Sequence, residues 1–395
     1  MNILIISPFY PWPIDSGGKI RIFNLVRYLA RRHRVTLACL NETEVTDFSP
    51  LSEFCQDVHV VRRRPAMVRD LCAFLAGTLP FNMQKYLCPE FRTLLQRLIT
   101  EGSFDRVQCE FTLLWGYADI LPLDRVLLDA HNIEARIIGQ LGRDCGSLLK
   151  KLLYRLEESK MSRLENAAWR SALTTLAVSD KERDVIAAST GSPEKVITVP
   201  NGVDLERFRF NGYRPPGGGV LLLAGLDYAP NLDSVRYFLA EILPLVRKKD
   251  DRLIVHLVGK EFQRLGGLQH QAGVAVHENV ADVLPFFMEA SVLAVPLRHG
   301  AGTRIKILEA MAAGLPVVSS SIGCEGLAVR HGEHLLVADS AGEFAAALLQ
   351  ILDETEAAAG LAARARNLVE EKYGWERIVA GLETVLCQGN EAQNA

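Results

Sequence analysis

The stretch that most restricts what this chain can become is Val292–Gly326, VLAVPLRHGAGTRIKILEAMAAGLPVVSSSIGCEG. Its first run, Val292–Leu297, is too short for a helix and rich in Val, which reads as a buried strand. A glycine-bearing turn follows, then a helix over about Thr303–Ala313, a second apolar strand over Leu315–Ser319 and a polar loop. Gly300 and Gly302 allow the backbone to turn tightly and come close to a ligand. The unpaired N–H groups of the helix point into that turn, where partial positive charge favours an anion. Arg304 and Lys306 in the first helical turns oppose the helix dipole's preference, and make sense where a phosphate lies among them. Glu309, three residues after Lys306, shares its face and reaches hydroxyls of the same ligand. A solvated helix with an internal Lys306–Glu309 pair would account for the charges, but not for the glycines and strands around them.

A chain of 395 residues is too long for one ordinary domain and suggests two of roughly 150–200 residues each. The net charge of −3 gives no electrostatic case for a nucleic-acid partner. Residues 1–200 carry 26 Lys/Arg against 23 Asp/Glu, and residues 201–395 carry 18 against 24. The slightly basic first half is compatible with docking on an anionic surface. Eight scattered cysteines form no C-x-x-C pair and no zinc spacing, which reads as a reducing compartment. MNILIIS lacks a basic region before its apolar run and reads as a first strand rather than a signal peptide. No run approaches 18 uninterrupted apolar residues, so the expected location is cytoplasmic.

From the start of the chain, strand Asn2–Ile6, the loop SPFYPWPIDSGG, a helix over about Lys19–Arg31 and strand Val35–Leu40 open an α/β domain. Gly17 and Gly18 stand just before that helix, either as a plain helix-start turn or as an anion or sugar site made of backbone amides. Val58–Val61 reads as a strand ending in Arg62, Arg63 and Arg64, a solvated end or a contact for phosphate or anionic lipid. Leu71–Leu79 is expected to cover a core. Strands Phe104–Gln108 and Val126–Ala130 follow, and the second ends in DAHNIEAR, placing His131 at its carboxyl end. Ser147–Ala168 reads as a long helix whose Lys150, Lys151, Arg155 and Lys160 are offset by Glu157, Glu158 and Glu165. A mixed face of this kind packs on its own domain, whereas a purely basic one would suggest a membrane. Tyr213–Gly219 is rich in Pro and Gly and reads as a linker.

These motifs resemble the GT-B glycosyltransferases of family GT4, retaining enzymes that use sugar nucleotides. The resemblance covers almost the whole chain and implies two Rossmann-like, doubly wound α/β domains facing a central cleft. It implies an acceptor-side domain over 1–200, a linker over 201–219, a nucleotide-sugar domain over 220–373 and a last helix, 374–395, returning to the first domain. It assigns Arg304 and Lys306 to the diphosphate, Glu309 to the ribose, and Gly300, Gly302 and Thr303 to the turn beneath the phosphates. Gly17 and Gly18 match the family's glycine-rich loop, His131 its cleft histidine, and the backbone near Val280 its reader of the base. Two departures stand out. The first Glu of the family's Glu-x7-Glu pair is replaced by Ala301, and the turn GLDYAPN lacks the Arg and Lys usual after that strand.

The implied reaction is transfer of a sugar, with retention, from a nucleotide-diphosphate sugar to a hydroxyl of a saccharide or lipid-linked acceptor. No Asp-x-Asp occurs in the chain, so no metal or other cofactor is expected. Peripheral contact with the inner face of a membrane stays open. So do two rival functions: a sugar-nucleotide 2-epimerase of the same fold, and a non-catalytic partner subunit.

Overall fold

A computed structural model describes residues 1–41, 47–63, 66–210, 212, 217–300 and 304–388, with side chains at all of these but 144 and 388. The chain divides into two units: Met1–Pro200 with Ile378–Ala395, and Asn201–Arg377.

The first unit is built on strands β1 (Asn2–Ser7), β2 (Arg34–Asn41), β3 (Asp57–Arg62), β4 (Arg106–Glu110), β5 (Val126–Ala130), β6 (Thr174–Ala177) and β7 (Val196–Thr198). They form one sheet in the order β3-β2-β1-β4-β5-β6-β7, every pair parallel. Leu4 and Ile6 enter one hydrophobic cluster, while Ile3 and Ile5 are buried on the opposite face. That is the pattern of a parallel sheet covered on both sides. The strand order reverses between β1 and β4, so the loops after these two strands diverge and leave a crevice at their carboxyl ends.

The second unit repeats the plan with β8 (Val220–Gly225), β9 (Val255–Lys260), β10 (Val274–Glu278), β11 (Val292–Val295), β12 (Val317–Ser319) and β13 (Leu336–Val337). The order is β10-β9-β8-β11-β12-β13, again all parallel. Val220, Leu222 and Ala224 of β8 pack in one cluster, and Leu221 in another across the sheet. Here the reversal falls between β8 and β11.

Several expectations shift. Gly17 and Gly18 do not precede a helix: they are the first two residues of helix Gly17–Leu29, after Ser16. The helix expected from Thr303 begins at Ile305 and ends at Ala313, with Arg304 as its non-helical N-cap. Gly314, in the left-handed region at φ 77°, stops it, and Arg366 donates to the Ala312 carbonyl.

The Leu71–Leu79 segment covers a core only in part, through buried Phe74 and through Leu79, which packs against the first unit's cluster. Helix Met67–Ala76 buries Asp70 and Phe74 but leaves Met67, Val68, Leu71 and Leu75 exposed. Arg63 is not a solvated strand end: it is buried and donates to Asp70, while Arg64 lies outside the described residues.

The long helix runs Leu148–Ser171, and its charges sort differently from the expected offsetting face. Glu157 turns inward to accept from the Phe81 and Asn82 amides, and Glu165 from those of Glu134 and Ala135. Each carboxylate thereby satisfies two open N–H groups at the start of a neighbouring helix. Lys160 turns inward too, donating to the Phe74 and Gly77 carbonyls.

Candidate functional site

In the second unit, helix Ile305–Ala313 has the sequence IKILEAMAA, and seven of its nine residues are buried. The two exceptions, Lys306 and Glu309, are half-buried. An apolar helix that keeps charge only at these positions is not a solvated charged helix. Lys306 Nζ donates to the Leu223 carbonyl of β8 at 2.6 Å. This fixes a cation near the carboxyl end of the central strand, beside the point where the strand order reverses. Burial, aided by Arg304, pulls the Lys306 ammonium down to about 8. Glu309 makes no hydrogen bond among the described residues, and burial pushes it up to about 7 against the pull of Arg207 and Lys306.

The loops after β8 and β11 meet here. Gly300 has φ 126°, and a Cβ on it would stand 3.2 Å from Pro230 and 3.3 Å from the Arg304 guanidinium. Only glycine combines that backbone with that space. Arg304 is buried beside Tyr228 and Glu325, and desolvation lowers its pKa. Gly302 and Thr303 lie outside the described residues, as does Ala301. Val280, partly buried, follows Asn279, whose φ of 53° turns the chain sharply after β10. Two residues on, Asp282 accepts from Arg207 at 2.6 Å, and both contribute to the field at Glu309. The segment containing Val280 therefore reaches the carboxylate's surroundings.

Two cations here were not anticipated. Lys260, ending β9, pairs with Asp227 at 3.0 Å, and Arg264 donates to the Leu226 carbonyl at 2.6 Å. The turn after β8, which lacks its own basic residues, receives them from the end of the next strand and the short helical turn that follows it. Sequence spacing gave no sign of this, because the sheet pairing of β8 with β9 creates it.

In the first unit, His131 follows β5 and is buried, with its Nε2 2.7 Å from Glu110 Oε2. Gln108 donates to the other Glu110 oxygen at 2.6 Å. Asp129 accepts two bonds from Arg21, at 2.8 and 3.0 Å. Burial pushes Glu110 up to about 7 and His131 down to about 3, in each case towards the neutral form. The carboxylates of Glu110 and Asp129 and the imidazole are close enough to hold a metal ion. Arg21 already neutralises Asp129 there, and a second buried cation against it would be costly.

The His131 ring stacks on Phe111 with centroids 3.7 Å apart. Phe111, directly after β4, holds φ 66° and ψ 138°, a conformation costing on the order of 1–3 kcal/mol for a non-glycine residue. Gly18 makes room for it: a Cβ there would lie 3.0 Å from the Phe111 ring and 3.2 Å from that of Phe9. Gly18 and His131 thus meet through Phe111, at this sheet's own reversal point. Arg21, Glu110 and Phe111 were missed in the sequence. Their placement depends on β1, β4 and β5 being neighbours, which no local pattern reveals.

A family model described as Glycosyltransferase Family 4 matches residues 16–207, and one described as Glycosyl transferases group 1 matches 218–354. The GDP-mannose-dependent alpha-(1-6)-phosphatidylinositol monomannoside mannosyltransferase of Mycobacterium tuberculosis is 30% identical over 337 residues, 77% of this chain and 81% of that protein. Sucrose-phosphate synthase from Thermosynechococcus elongatus superposes with a TM-score of 0.73 at 18% identity, covering 99% of this chain and 100% of that one. HepE of Anabaena, in complex with UDP and glucose, does so with a TM-score of 0.69 at 15% identity, covering 98% and 100%. The two-sheet architecture shared with these structures is GT-B.

Proposed function

The chain belongs to the family 4 glycosyltransferases, enzymes using sugar-nucleotide donors, and from that premise we propose that it transfers a hexosyl group, with retention, to a hydroxyl of a saccharide or lipid-linked acceptor. The observation that carries the proposal is the exception made by Lys306 and Glu309 in an otherwise buried helix, at the strand-order reversal of the second sheet. Lys306 and Arg304 bind the diphosphate, with the backbone at Gly300 beneath it. Glu309 accepts from the ribose hydroxyls, and the backbone near Val280 meets the base. As the glycosidic bond breaks, the fixed cations stabilise the charge growing on the leaving diphosphate without reorganising. This positive potential replaces a divalent metal.

On the acceptor side, His131 is held by Glu110 and Phe111, and the amides at Gly17 and Gly18 open the helix beside them. The mycobacterial relative is named as GDP-mannose-dependent, and HepE is named in complex with UDP and glucose, which supports a hexosyl donor here. The mycobacterial relative acts on a mannosylated phosphatidylinositol, which supports an acceptor that is a saccharide or carries one on a lipid. The test incubates the full chain with UDP- and GDP-hexoses and candidate acceptors, following both nucleotide release and the anomeric configuration of the product. Acceptor-dependent release of nucleoside diphosphate with an unchanged anomeric configuration supports the reading. Inversion refutes the stereochemistry, and 2-epimerised donor without transfer refutes the reaction.

A further inference from the structure

We propose that Asp233 and Arg298 form a positioning pair that sets the diphosphate-binding cations of the donor site, an inference that rests on the reading of that site given above. Helix Ala229–Tyr237 follows β8 and continues as the π-helical turn Phe238–Ile242. Asp233, Tyr237 and Glu241 recur along it every four residues, which keeps them on one face. Arg298, three residues beyond β11, lies along that face. Its Nε donates to Asp233 Oδ2 at 3.0 Å and its Nη2 to Asp233 Oδ1 at 2.5 Å. The guanidinium carbon stands 4.5 Å from the centre of the Tyr237 ring, and Nη1 is 4.0 Å from Glu241 Oε1. A bidentate ion pair seated on an aromatic ring fixes direction as well as distance. His299, the next residue, brings its Nδ1 to 3.7 Å from Asp233 Oδ2.

Stability alone does not account for the pair. The Arg298 and Asp233 side chains are 47% and 27% exposed, and exposed ion pairs add little to folding. What the pair does is tie the loop leaving β11 to the helix that follows β8, across the point where the strand order reverses. Two residues after Arg298, the chain touches the same helix again. A Cβ on Gly300 would stand 3.2 Å from Pro230, in the first turn of that helix, and 3.3 Å from the Arg304 guanidinium. Arg304 therefore packs against a glycine whose seat on Pro230 is set by the pair beside it. From the other direction, Lys306 is held by its bond to the Leu223 carbonyl of β8. Both phosphate-binding cations are thus registered on β8 and its helix, one through the Lys306 bond and the other through Asp233 and Arg298. Arg298 spends two of its N–H groups on Asp233, which makes it a support for the site and not a ligand to the phosphates.

The experiment titrates the full chain with UDP and GDP, and with uridine and guanosine, as parent, Arg298→Ala, Arg298→Lys, Asp233→Ala and Asp233→Ala/Arg298→Ala. Each single change is expected to weaken the diphosphates on the order of tenfold, inside the roughly 100-fold that a misplacement of about 1 Å can cost. The nucleosides should keep the parental affinity, because Glu309 rides on the largely buried helix Ile305–Ala313. The double variant should be no weaker than either single one, since each removes the same anchor. Arg298→Lys should behave as Arg298→Ala does, because an ammonium keeps the charge and loses the fork. Melting midpoints should stay at the parental value. Diphosphate affinities unchanged in every variant overturn the pair and leave the donor reading intact. Losses that add in the double variant, or tighter diphosphate binding by Asp233→Ala, also overturn it, because Arg298 would then be a phosphate ligand itself. So does a fall in melting midpoint accompanied by equal losses for both kinds of ligand, which would make the pair a general support of the fold. A parent that binds UDP and GDP no better than the nucleosides removes the donor site, and this inference with it.

Discussion

Lys306 and Glu309 are three residues apart, yet they act on each other only through their charges: the ammonium is spent on the Leu223 carbonyl, and the carboxylate is left open. Their altered proton affinities give the donor site a defined pH window. Glu309 accepts from ribose when ionised, above about 7, and Lys306 attracts phosphate when protonated, below about 8. Nucleoside diphosphate affinity should therefore peak between these values and fall on the acid side by roughly tenfold per pH unit. Calorimetric titration across pH checks this. Glu309→Gln should flatten the acid limb and Lys306→Arg the alkaline one. A profile unchanged in both variants would mean that neither group meets the ligand. In the other unit Glu110, Asp129 and His131 are more deeply buried and bonded to Arg21, Gln108 and one another, yet of these only His131 was legible as a candidate. A histidine after DA draws notice, whereas a glutamate ending the apolar strand RVQCE looks like a strand terminus until β4 and β5 are paired.

At the scale of elements, the long helix Leu148–Ser171 serves the domain through its buried charges. Glu165 holds two amides at the start of helix Glu134–Asp144, and burial nevertheless pushes its pKa up to about 8. Because the folded value lies above the ordinary one, its stabilisation is complete below about 4.5 and is lost as pH rises through 8. The unfolding midpoint of the parent should accordingly decline between these pH values more steeply than that of Glu165→Gln, which has no proton to lose. Parallel melting curves for the two proteins across that range would contradict the raised proton affinity of Glu165. Periodicity located this helix to within a few residues, as it did strands β1 to β5, β11 and β12. It could not tell which charges would face inward, because capping partners come from segments 30 or more residues away. For the same reason Gly17 and Gly18 were placed in a turn. Glycine signals freedom, and only the Phe9 and Phe111 rings show that Gly18 is needed as space inside a helix.

For the whole molecule, two parallel sheets, each reversing its strand order once, put the candidate groups on the loops and helices that follow carboxyl strand ends. Turnover should persist in metal-stripped protein with excess EDTA, since Arg304, Lys306 and the helix amides supply the potential a divalent ion would provide. Activity lost to chelation and restored by magnesium or manganese would refute that. The central claim is that the segment around residues 300–309 grips the diphosphate of the donor. Its most direct test titrates the parent, Arg304→Ala and Lys306→Ala with UDP and GDP, and with uridine and guanosine. Each variant should lose roughly 1.5–3 kcal/mol of affinity for the diphosphates, and almost none for the nucleosides. Equal losses for both kinds of ligand, or none for either, would contradict it.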